Sequence, residues 1–218
     1  MNRRNRFLLP LVTTLFLGFF VSGESEAREG WKSRPFLNLA GGSGFAQILS
    51  GDSEEWALLL GSEVGFRYSQ REGSLAGRTR ISGKGMGVLG GWGSETRAGT
   101  FLGVRRTLIG LEVGVDFFRN DYLGEEISLV DSLGVDVPLT VKIGPKLLQG
   151  VATVAPAFGM DPERRVDWTT TSAFGIGDEF EWAVGVELGL PIVGVSVSYK
   201  ERIVADAQIR SLQFGLEL

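Results

Sequence analysis

The chain has 218 residues, a formal net charge of −4, and neither cysteine nor histidine. Without cysteine it is neither a disulfide scaffold nor a lipid-attached exported protein, and without histidine it has no base for Ser-His-Asp or Cys-His catalysis. The acidic balance gives no basic footprint for nucleic acid.

The N-terminus reads as an export signal. Arg3, Arg4 and Arg6 form a basic head, and Phe7 to Val21 is an apolar run shorter than the roughly twenty residues a spanning helix needs. Ser25-Glu26-Ala27 supplies small residues for cleavage after Ala27. The expected organisation is a signal peptide over 1–27 and one domain over 28–218.

Alternation dominates the rest of the chain. Leu58, Leu60, Val64, Phe66 and Tyr68 share one face, while Gly61, Glu63, Gly65 and Arg67 share the other. Ile109 to Phe117 sets Ile, Leu and Val against Gly110, Glu112, Gly114 and Asp116. Leu133 to Ile143 sets Leu, Val and Ile against Gly134, Asp136, Thr140 and Lys142. Phe180 to Leu190 opposes Glu181, Gly185, Glu187 and Gly189, and Val195 to Ile203 opposes Ser196, Ser198, Lys200 and Arg202. Leu212, Phe214, Leu216 and Leu218 close the chain against Ser211, Gln213, Gly215 and Glu217. A period of two over such lengths is the signature of strands. About eleven residues, tilted near 40°, rise about 27 Å, close to the roughly 25 Å apolar band of an outer-membrane barrel.

Eight strands are expected, near 36–46, 57–68, 108–118, 133–143, 147–158, 180–190, 195–203 and 208–218. A further hairpin from 78–90 and 98–105 would make ten, and both counts are even, as a bacterial single-chain barrel requires. Gly144-Pro145-Lys146 and Pro191 to Gly194 read as tight turns. The stretches 47–55, 119–131 and 159–179 read as longer polar loops at the opposite end.

The glycines, 32 in all, fall among Val, Leu and Phe with no collagen period. Gly61-Ser-Glu63-Val-Gly65, Gly110-Leu-Glu112-Val-Gly114 and Gly185-Val-Glu187-Leu-Gly189 share a G-x-E-x-G pattern in mid-strand. Flanking glycines are expected to clear lumen space for each carboxylate. The expected interior charge network is Glu63, Arg67, Glu112, Lys142, Glu187, Lys200 and Arg202, paired because an unpaired buried charge costs several kcal/mol.

Other patterns carry no chemistry. Gly85-Met-Gly87-Val-Leu-Gly90 fits G-x-G-x-x-G, but no helical periodicity follows it. Glu125, Glu126 and Asp131 read as solvated loop charges more readily than as a calcium site. No cofactor, metal site or catalytic group is expected. Trp56, Trp92, Phe117, Phe118, Tyr122, Phe180 and Trp182 at one end, and Phe36, Phe66 and Tyr68 at the other, read as interfacial girdles.

The stretches Phe180–Leu190, Val195–Tyr199 and Ser211–Leu218, together with Asp136-Val-Pro138-Leu-Thr-Val-Lys142 before the Gly144-Pro145 turn, resemble the outer-membrane β-barrel family of small OmpA-like and porin-like barrels. The resemblance implies an all-β, antiparallel, up-and-down transmembrane barrel in a Gram-negative outer membrane. It implies outer-membrane lipid and the barrel-assembly machinery as partners, and leaves any extracellular partner unspecified. The family's assembly signal maps to Leu212, Phe214, Leu216 and Leu218, although the family ends in Phe or Trp and this chain in leucine. A structural or surface-interaction role is expected; a narrow channel and a soluble periplasmic barrel holding an apolar ligand are the alternatives.

Overall fold

A computed structural model describes residues 31–70, 74–88, 91–123, 128–160, 179–190, 193–204 and 207–218. The expected signal and its Ala27 cleavage site lie outside them. The described residues form twelve strands: β1 (Trp31–Asn38), β2 (Ser43–Ser50), β3 (Ser53–Gln70), β4 (Leu75–Val88), β5 (Gly91–Arg106), β6 (Ile109–Leu123), β7 (Ser128–Asp136), β8 (Leu139–Ile143), β9 (Leu148–Met160), β10 (Glu179–Gly189), β11 (Gly194–Val204) and β12 (Ala207–Glu217).

Every pairing is antiparallel, and the sheet closes on itself, because β12 pairs with β2 and with β1. β1 and β2 both lie between β3 and β12, so they are two halves of one stave. β7 and β8 likewise share the gap between β6 and β9. The barrel therefore has ten staves, the larger of the two expected counts. The deciding hairpin is β4–β5, in register from Val88↔Gly91 to Leu75↔Val104. Its glycine content hid it, since Gly83, Gly85 and Gly87 carry no side chain to mark a face.

The two split staves break for different reasons. Pro138 has no N–H to give, but its carbonyl accepts from Gly114 N at 2.9 Å, and the register on both sides of it is unchanged. In the first stave, Asn38 faces Glu63 and Gly44 faces Leu59, so six steps on this stave match four on β3. The two extra residues form a bulge over 39–42. Gly42 takes a φ of 78° there, and Ser43 Oγ clamps the bulge to β3, accepting from Gly61 N at 2.8 Å and donating to Gly61 O at 3.3 Å.

The staves alternate in direction, so β1 begins and β12 ends at one mouth, here called the terminal mouth. The tight turns at 107–108 and 144–147 lie at this end, and the Gly51-Asp52 turn lies at the far mouth. Two of the expected long loops are mostly strand. The stretch 47–55 is a hairpin with a two-residue turn, and 119–131 holds the ends of β6 and β7 with four residues between. Long staves absorb polar residues whose composition suggests loop. The stretch between Met160 and Glu179 lies outside the described residues.

The terminal mouth also has a free edge. Leu37 N donates to Leu218 O and Leu218 N to Leu37 O, so odd residues of β1 point their backbone groups toward β12 and even ones toward β3. Among the described residues, 31–36 have no strand on the odd side. Pro35 sits on that side, where its missing N–H removes no ladder bond. Pro35→Ala should therefore leave stability within about 0.5 kcal/mol of the parent. Arg34→Pro should lose about 1 kcal/mol or more, because its N–H faces β3. Urea unfolding of the two variants in detergent micelles measures both.

Candidate functional site

Alternation places the two sets of side chains on opposite sides of one wall. The outer wall is aliphatic and exposed: Leu60 is 66% accessible, Leu102 64%, Ile143 62% and Ile109 61%. Leu212, Phe214, Leu216 and Leu218 of β12 are exposed as well. The lumen is charged and, over its middle, buried.

Arg97 of β5 is the hub. Its Nη2 lies 2.6 Å from Glu181 Oε2, its Nε 3.0 Å from Glu95 Oε1, and its Nη1 2.7 Å from Asp136 Oδ2 and 3.5 Å from Asp116 Oδ2. Asp116 and Asp136 face each other directly across β6 and β7 and are fully buried. Two like charges so placed repel, and Arg97 is the cation between them. Arg202 approaches Glu181 at 3.5 Å and Glu95 at 3.6 Å, while Lys200 Nζ reaches Glu181 at 2.8 Å and Lys84 Nζ reaches Glu95 at 2.9 Å.

Toward the terminal mouth the pairing continues in smaller sets. Arg80 joins Asp116 at 2.6 Å to Glu63 at 3.3 Å, and Arg78 bonds Glu112 at 2.7 Å. Lys142 bonds both oxygens of Glu187, at 2.8 and 3.1 Å. Arg67 pairs with Glu217. Thus Glu63, Arg67, Glu112, Lys142, Glu187, Lys200 and Arg202 all stand on the inner face, but they fall into separate groups along the axis.

The hub residues Glu95 and Arg97, and the bridging Arg78, Arg80 and Lys84, are not among the charges expected from sequence. All lie in the β4–β5 hairpin, whose strands alternation leaves undecided. The available signal was the run Arg78, Arg80, Ser82, Lys84, Met86 on one face.

Aromatic rings separate the guanidinium groups. Phe101 lies 4.4 Å from Arg78 and 4.7 Å from Arg80, and Phe118 lies 4.0 Å from Arg202 and 5.8 Å from Arg97. Ring faces attract cations and take the place of solvent between them. Phe118 and Phe36 are therefore lumen residues and not girdle residues, whereas Trp56, Trp92 and Phe117 are exposed on the outer wall.

The glycines serve a different purpose from the one their motif suggests. A Cβ on Gly114 would fall 2.3 Å from Phe101 Cδ1, so this flank of the second G-x-E-x-G makes room for a ring. Room for Glu112 comes instead from Gly103, its direct partner across the β5–β6 ladder. Close to the far mouth, Ala46, Ile48, Ala57, Leu59 and Met86 form an apolar layer, with Ile209 packed against it. The buried charges and this apolar cluster thus follow one another along the axis toward the far mouth.

Among the described residues no group of carboxylates suits a metal ion. Glu125 and Glu126 lie outside the described residues, as does the side chain of Asp131. Most of the charged groups described are arranged to neutralise one another.

No protein-family model matches the chain, and no curated protein matches it. Among solved structures it is similar to Neisserial surface protein A (NspA), with TM-score 0.41 and 11% identity over 86% of this chain and 98% of that one. It is also similar to the translocator domain of the autotransporter NalP from Neisseria meningitidis, with TM-score 0.39 and 12% identity over 94% of each chain. Likenesses this shallow add nothing to the residue chemistry above.

Removing the hub takes a shared cation from four carboxylates at once and leaves Asp136 only the longer 3.9 Å approach of Arg202 among the described residues. Arg97→Gln should destabilise the barrel by about 3–5 kcal/mol, against about 1 kcal/mol or less for Arg67→Gln at the exposed rim. Gly114→Ala should cost about 1–3 kcal/mol through the clash with Phe101. Reversible urea unfolding followed by tryptophan fluorescence reads all three.

Proposed function

We propose that the chain is a small outer-membrane β-barrel protein of a Gram-negative bacterium, with a structural or surface-interaction role. One observation carries the reading. Large apolar side chains are exposed all round the outer wall while the lumen is charged and buried, the reverse of a water-soluble fold. Closure pairs the strand edges along the body of the wall, which is the condition for strands in a bilayer. No helix among the described residues is long and apolar enough to cross a membrane, so the strands would do the crossing.

The partners are outer-membrane lipid against the aliphatic wall and the barrel-assembly machinery during insertion, with β12 and its outward Leu212, Phe214, Leu216 and Leu218 as the assembly signal. An N-terminal signal cleaved after Ala27 would deliver the chain. We assign no catalytic role, since histidine is lacking and the lumen carboxylates are bound to cations. The buried, cross-linked charges at the middle of the lumen support a stiff non-conducting cylinder over a narrow channel, and their charge speaks against a soluble carrier of apolar ligands.

Fractionation with a heat-modifiability gel tests the placement: a folding-dependent shift in an outer-membrane fraction is expected, and recovery as soluble periplasmic protein would overturn it. In planar bilayers no reproducible conductance steps are expected. On the outer wall, Val186→Arg should cost roughly 2–4 kcal/mol near the midplane, while its inward neighbour Glu187→Gln should still permit insertion. Equal tolerance of the two changes in vesicle-folding yield would contradict the assignment of faces.

A further inference from the structure

β1 outruns the strand beside it. Its inner end closes the barrel, with Leu37 and Leu218 exchanging both backbone hydrogen bonds. From there toward the terminal mouth β1 continues on β3 alone, in register from Pro35↔Phe66 to Trp31↔Gln70. Among the described residues nothing lies against its other edge. The carbonyls of Trp31, Ser33 and Pro35 and the N–H groups of Trp31 and Ser33 point into that place, in the same sense as those of Leu37. Such a row of ladder groups is a template for a further strand.

The face beside this edge is positively charged. Lys32 and Arg34 share the side of β1 that Phe36 turns to the lumen, and both are exposed. Arg34 stands directly opposite Arg67. Like charges so placed repel. Arg67 is answered by Glu217 of β12, but among the described residues neither Lys32 nor Arg34 pairs with a carboxylate.

Edge and charge together narrow the occupant. A strand added here runs antiparallel to β1 and in line with β12. Its residues opposite Lys32 and Arg34 turn to the lumen side, close across the ladder. Those opposite Ser33 and Pro35 turn outward, on the side of Leu218. Acidic residues suit the first set and apolar ones the second. A second copy of β1 does not suit, because antiparallel pairing would bring its Lys32 and Arg34 against these. Pro35 withholds one donor in mid-row and so discourages unselective pairing.

We propose that the terminal-mouth edge of β1 binds an extended acidic peptide segment, which joins the sheet as an added strand. The edge belongs to the closed barrel whatever surrounds the wall, so membrane placement and peptide binding can fail separately.

The test uses the full chain refolded in neutral detergent micelles. The probe is a short fluorescein-labelled peptide alternating valine and glutamate, and its anisotropy should rise saturably. The same peptide with lysine for glutamate should not bind. A version N-methylated along its bonding edge keeps the charge but loses the donors, and should bind much more weakly. Arg34→Gln should weaken binding several-fold. Ser33→Pro should do the same, since it removes an edge N–H and no bond to β3. If either variant fails to fold, Pro35→Ala keeps the test open: its restored N–H should tighten binding several-fold. No saturable rise with the valine–glutamate peptide would overturn the proposal, as would equal binding of the lysine or N-methylated peptide, or parental affinity in all three variants. Concentration-dependent dimers in sedimentation without peptide would give the edge to a second copy and overturn it too.

Discussion

Arg97 sits where four carboxylates converge, two of them face to face on neighbouring staves and fully buried. Asp116, Asp136, Glu95 and Glu181 can share one buried section of lumen only because that guanidinium spreads its charge over several directions. Lys84, Lys200 and Arg202 bring the local total back toward neutrality. Burying charge is unfavourable by itself, so the network's merit lies in specificity. Each strand carries its own part of a mutually exclusive pairing, and a stave slipped by two residues would leave charges without partners.

The same alternation that loads the lumen with charge dresses the outside in Leu, Val and Ile. The two faces constrain each other. A one-residue register slip would turn the aliphatic coat inward and the charges outward along a whole stave. Phenylalanines and glycines settle the remaining space: rings lie between guanidiniums, and Gly114 yields the volume that Phe101 fills. The lumen is thus packed by matching volumes as well as by matching charges.

Much of this was legible in the chain. The strands around 58–68, 109–117, 180–190 and 212–218 stand out because each alternates large apolar residues with a set that holds Gly and Glu. The β4–β5 hairpin did not, because its outward face is mostly Gly, Ser and Thr, which leaves little hydrophobic beat to count. Its inward face held the hub, so the most connected charges went unread while peripheral ones such as Glu187 and Arg67 were found. Pairing is also a relation between staves, and alternation within a stave reports only which way a residue points. Phe118 shows the limit: an aromatic near a strand end suits a membrane interface equally well until its neighbours are known to be Arg97 and Arg202.

The bulge at residues 39–42 adds two residues, and the number matters. In an alternating chain an even insertion keeps parity: Phe36 and Asn38 before it, and Ala46 and Ile48 after it, all still turn to the lumen. An odd insertion would have reversed everything beyond it. Length change in this wall is therefore quantised, and gains or losses in pairs alter how the staves slide past one another without re-sorting inside from outside. Lineages of such barrels could drift in girth and height by this arithmetic while their charged interiors stay intact.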